Sequence, residues 1–263
     1  MALKLNTSRK AYQEFDGRNT EKMQKLVADG RVPMSVAGLM QRRLDVRNSD
    51  DKVKSAWMDN YFDTGDAAVY HPDGRVKIVL DSQDLRNMTP DTHRNGGALI
   101  VTPEAYGILQ GEEFKKDKLG KTGNWMSREE VKAHPVWKVL ARDQGLLNDY
   151  TDYIFAEGKE RFDYDTTMGV FPSSTNGDTP EMRAWCVGRL EYGSDANGRS
   201  DLDDDGGRFV GIAPEAQVSS GEGASVKMHT MAHLQAVDKT MKSLDGTLHP
   251  DVLKPFAELR KTL

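Results

Sequence analysis

At 263 residues, 37% hydrophobic and 29% charged, the chain is long enough and apolar enough to bury a core, which excludes a disordered chain. Its formal net charge of -5 is spread along the sequence with no basic face, so a phosphate backbone meets no electrostatic attraction and nucleic acid is excluded as a partner. The single cysteine, Cys186, excludes an intramolecular disulfide, and no stretch approaches the ~20 apolar residues of a membrane span, so no membrane insertion is expected.

The opening MALKLNTSRKAYQEF carries no apolar segment of signal-peptide length; a soluble chain is expected, with its location open between the cytoplasm and display at the cell surface. The first sixty residues read as helical. From Thr20 to Asp29, Met23, Leu26 and Val27 have helical spacing, and Gly30 supplies a left-handed stop. Ser35 then caps a second helix whose apolar positions are Val36, Leu39, Met40 and Leu44, with Arg42, Arg43 and Arg47 expected on its wet side. Ala67 to Leu80, broken by His71-Pro72-Asp73-Gly74, predicts a β-hairpin, and Gly97 to Thr102 a short buried strand. Lys115 to Asn124 is a polar connection. Ser127 with Glu130 forms a capping box, and Pro135 restarts the helix that it opens. Trp137, Leu140, Leu146, Leu147, Tyr150, Ile154 and Phe155 repeat at helical intervals, which predicts the main core helix or helix pair. Short strands are expected over Met168–Phe171, Arg183–Leu190 and Arg208–Ile212, and closing helices over Met228–Leu244 and Val252–Leu259. The whole is an α+β chain, read as one domain over residues 1–263.

Local motifs for chemistry are incomplete. Asp201, Asp203, Asp205 and Gly206 match the opening of a calcium loop, but the twelfth position holds Ile212 in place of a bidentate glutamate. A solvated acidic turn is the plainer account. His229 and His233 share a helical face, as zinc ligands do, without the glutamate of a metalloprotease. Cys186 lies between Trp185 and Val187 with no base or glycine elbow nearby, which suits packing better than nucleophilic catalysis. A metal-dependent hydrolase using Asp201, Asp203 and Asp205 with a histidine stays open as the alternative to a binding function.

Composition is more informative than these motifs. Residues 173–205 are written largely in Tyr, Ser, Gly, Asn and Asp, the vocabulary of antibody paratopes. No lysine occurs between Lys159 and Lys227, and no glutamine between Gln144 and Gln217. From Cys186 to Asp205 every residue except Glu191 belongs to the set reached from an asparagine codon by changing its two adenines.

On Met182-Arg183-Ala184-Trp185-Cys186-Val187, Ser194-Asp195-Ala196-Asn197-Gly198-Arg199, and the closing Gly206-Gly207-Arg208-Phe209-Val210-Gly211-Ile212-Ala213-Pro214-Glu215-Ala216, the chain resembles the archaeal variable proteins of diversity-generating retroelements. The resemblance implies a C-type lectin-like fold with flanking helices and short antiparallel strands, and a variable region within residues 173–216. It implies a non-enzymatic module without a required cofactor or metal, whose ligand is macromolecular, a protein by preference. Trp185, Val187, Leu190, Leu202, Phe209, Val210 and Ile212 would be framework. Cys186, Gly188, Tyr192, Asp195, Ala196, Asn197, Ser200, Asp201, Asp203, Asp204 and Asp205 would be the displayed ligand-binding positions, with Ser174 to Asp178 as an extension. Glu191 would be fixed. The Glu-Pro-Asn motif of sugar-binding lectins is absent, so carbohydrate binding does not follow from the fold.

Overall fold

A computed structural model describes residues 10–175 and 177–214; the two closing helices expected from the sequence, and His229 and His233 with them, fall outside the described residues. One mixed sheet organises the described chain. Its central path begins with β1 (Tyr12–Asp16) and β11 (Arg208–Ile212), continues through β3 (Phe62–Tyr70) and β9 (Glu181–Val187), and ends with β10 (Ala196–Asn197) and β8 (Val170–Phe171). β2 (Val32–Pro33) adds to β11, and β4 (Arg75–Val79) with β7 (Glu112–Lys115) extends from β3. The pair β5 (Arg94–Asn95) and β6 (Ala98–Ile100) joins β9. The expected antiparallel pattern holds except at two places, where β11 runs parallel to β3 and β10 parallel to β8.

Alternation along the central strands makes two cores, because successive side chains leave a strand on opposite faces. Ala68 and Tyr70 of β3, with Trp185 and Val187 of β9, pack against α2 (Val36–Asp45), α6 (Arg128–Ala133), α7 (Pro135–Ala141) and α8 (Gln144–Phe162). Ala67 and Val69, with Met182 and Ala184, face the other way. There they meet α1 (Asn19–Ala28), α4 (Gln83–Asn87) and α5 (Pro103–Ile108). Between these layers β3 is buried along its whole length. A further helix, α3 (Asp51–Met58), follows α2.

The helix signals act as expected. Ser35 accepts a hydrogen bond from the Gly38 amide, Gly30 sits at φ +67°, and both halves of the Ser127–Glu130 capping box form. The core helix resolves into the pair α7 and α8, separated where Arg142 takes a left-handed conformation. Two expectations change. The strand expected from Arg183 to Leu190 stops at Val187, and Leu190–Tyr192 forms a 3-10 turn instead. Arg43 is fully buried rather than wet, because it stands three and four residues after Met40 and Leu39 and so shares their face of α2. β1 went unexpected.

Candidate functional site

On the sheet face opposite α2, α7 and α8, a groove opens over β3, β9 and β10. Cys186 on β9 is paired in register with Asn197 of β10 on one side and with Asp63 of β3 on the other, so the three form a row across three strands. Their neighbours Val187, Ala196 and Phe62 form the parallel row that packs into the helical core. The groove above holds about 210 Å³, and its walls are Tyr61, Gly206 and Gly207 together with Arg199, Ser200, Asp201 and Asp204.

Burial governs the chemistry of the floor. Asp63 is almost wholly inaccessible; burial raises its pKa, against the opposing hydrogen bonds from the Ser200 hydroxyl and the Arg208 amide. Cys186 is half-buried, and burial followed by the carboxyl groups of Asp63 and Asp195 pushes its thiol well above the ordinary range. A protonated thiol is a weak nucleophile, and the groove presents hydrogen-bonding groups rather than an activated attacker.

The segment that walls the groove is gripped through its main chain by side chains from elsewhere in the fold. Arg43 donates to the Gly188 carbonyl (3.0 Å), and also to Trp57 and Asn60 carbonyls and the Tyr150 and Ser194 hydroxyls. Tyr70 donates to the Gly198 carbonyl at 2.9 Å, Arg183 to the Ser200 carbonyl at 3.0 Å, and Tyr61 to the Gly206 carbonyl. Backbone bonds add to this: Leu202 donates to Gly97, and Gly17 to Gly207. Arg43, Tyr61, Asp63, Tyr70 and Arg183 were not anticipated as site residues. The legible signal was two aspartates and a threonine inside the apolar run Phe62 to Tyr70, since polar groups in a central strand demand partners.

Each expected position has a distinct placement. The framework residues Trp185, Val187, Leu190, Leu202, Phe209, Val210 and Ile212 are all buried. Cys186, Asn197, Ser200, Asp201 and Asp204 come together at the groove. Gly188 and Ala196 do not belong to the displayed surface: Ala196 is fully buried in the helical core, and Gly188 is buried where a Cβ would collide with the Asp195 carboxylate. Asp195 is largely buried, and burial raises its pKa to about 6. Asn197, Asp201 and Asp204 use a side-chain oxygen to cap the amide two residues on, at 2.8 to 2.9 Å, which fixes three turns. Tyr192 is 58% exposed, with Arg189 stacked 4.2 Å over its ring; its neighbours Glu191 and Gly193 touch Tyr164 and Trp125, so it stands with that aromatic group. Glu191 is exposed and pairs with Arg189.

The three alternate carboxylates do not converge on one point. Asp203 pairs with Arg94 and Asp205 with Arg18, each at 2.7 Å, while Asp201 turns back on its own loop. Among the described residues no three His, Cys, Asp or Glu side chains are placed to hold a metal ion. The aspartate half of the hydrolase alternative is thus not gathered as a ligand set, and its histidines lie outside the described residues. No helix among the described residues is long and apolar enough to cross a membrane.

No family model matches the chain, and no curated protein matches it. A solved structure described as the accommodation of massive sequence variation in Nanoarchaeota by the C-type lectin fold is similar to it. The two are 16% identical, the match covers 78% of this chain and 98% of that one, and the TM-score is 0.59. The two-faced sheet, its flanking helices and this likeness together establish that the chain has a C-type lectin fold.

Proposed function

We propose that this chain is a non-enzymatic binding module whose groove and adjoining loops form a surface diversified by a retroelement, with a protein as its ligand. One observation carries the reading: the loops are held by side chains from outside the stretch, Arg43, Tyr70 and Tyr61, that grip main-chain carbonyls at Gly188, Gly198 and Gly206. The anchored positions 188 and 198 have no room for a side chain, and the grip on their carbonyls does not involve the residues between them. Side chains on such loops can change while the path of the chain does not, and exposed replacements then cost within about 0.5 kcal/mol. The similar solved protein, which accommodates massive sequence variation on this fold, lends the reading support.

The test is the DNA beside the gene. A nearby near-copy of the stretch encoding Ser173 to Ala216, with mismatches confined to adenines and a reverse transcriptase gene alongside, is the expected finding. A locus with neither would end the retroelement reading and leave a binding module of fixed sequence.

A further inference from the structure

Asp203 and Asp205 are each held by an arginine from outside the variable stretch. Arg94 donates through Nε to Asp203 and through Nη1 to the carbonyls of Thr89 and Thr92, at 3.2 and 2.8 Å. Its guanidinium is therefore positioned by the fixed framework, whatever residue stands at 203. Arg18 immediately precedes α1, where its side chain makes no capping bond, and reaches Asp205 from a side chain that is 52% exposed. The Arg18–Asp205 pair is exposed and adds little stability, and the half-buried Arg94–Asp203 pair has its arginine anchored independently of the aspartate, so both are better accounted for as an arrangement of charge beside the groove-lining Asp204 than as supports of the fold. The other rim arginine, Arg199, turns its Nε away to the Pro172 carbonyl.

We propose that Arg18 and Arg94 are fixed specificity-determining residues latched by Asp205 and Asp203, so that the residues at 203 and 205 set the charge class of ligand the surface accepts. With aspartate at both positions the rim is neutralised, and it suits neutral or cationic partners. With neutral residues there, both guanidinium groups lose their carboxylate partners, Arg94 staying tethered to the Thr89 and Thr92 carbonyls and Arg18 reaching out from an exposed side chain, and they accept a sulfate or phosphate oxyanion. The inference rests on the reading that 203 and 205 are displayed positions dispensable to the fold.

The test is retention of the full chain on immobilised dextran sulfate, run beside thermal melts. Asp203→Asn with Asp205→Asn should melt like the parent and need about twice the salt for elution required by Asp51→Asn with Asp149→Asn, a control of equal net charge on exposed helical positions. Adding Arg18→Gln and Arg94→Gln to the first pair should abolish the gain. Folded variants that co-elute with the control would overturn the inference while leaving the displayed surface intact. Loss of the fold in the 203/205 pair would show that these positions belong to the framework, and both readings would fall.

Discussion

Arg43 concentrates much of the stability of the site in one side chain. Its five hydrogen bonds reach three carbonyls and two hydroxyls, joining α2 to the chain at Trp57 and Asn60, to α8 and to both ends of the 188–194 turn. Removing it leaves those acceptors buried without a donor, so Arg43→Leu should cost about 3–5 kcal/mol, measured by urea unfolding, and Arg43→Lys should recover only part of the loss. Asp195 makes a pH-dependent contribution of the opposite kind. Its folded pKa lies near 6, above the unfolded carboxylate value, so its contribution is fully present below the unfolded pKa and is lost as pH rises through about 6. Asp195→Asn should therefore be more stable than the parent at pH 7.5 by up to ~3 kcal/mol, with the difference vanishing near pH 4 in paired melts. Neighbouring positions contrast sharply. A Cβ at Gly198 would strike the buried Tyr70 hydroxyl and crowd Trp185, so Gly198→Ala should lose about 1–3 kcal/mol, whereas Tyr192→Ser should stay within about 0.5 kcal/mol in the same assay.

Elements differ in how openly the sequence declares them. Caps at Ser35 and Ser127 and the stop at Gly30 were legible because each satisfies a local backbone requirement with a local residue. β1 was not legible: of Tyr12 to Asp16 only Phe15 is buried, and the strand exists through five register pairs with β11, nearly two hundred residues away. That pairing covers one edge of β11, which carries the framework residues Phe209, Val210 and Ile212. Replacing Phe15 by Ala should cost about 3 kcal/mol and loosen β11, seen as faster amide exchange at Val210 and Ile212. Arg43 escaped notice for a related reason. Its helical position is apolar by spacing, but a cation on such a face has no local partner, and its acceptors come from three other segments, residues 57–60, α8 and the 188–194 turn.

For the whole molecule, the sheet assigns two tasks to its two faces. One face, under α2, α7 and α8, is filled by Trp137, Trp185, Tyr150 and their neighbours, while the other leaves Asp63, Cys186 and Asn197 at an open end. Composition revealed that residues near 173–205 were unusual, yet it could not separate side chains that face the groove from those that hold turns or fill the core. That division depends on register: Cys186 and Val187 are adjacent in sequence and lie on opposite faces.

The close quarters at Gly198 also bear on inheritance. If the stretch is rewritten at adenines, a template spelling this residue with an asparagine codon would condemn most offspring copies, since nearly every replacement collides with Tyr70. Glycine codons have no adenine in their first two places and pass through such copying unaltered. On that reading the fold makes a demand of any template DNA: a glycine codon at 198 should stand in it already, silent among neighbours that can change.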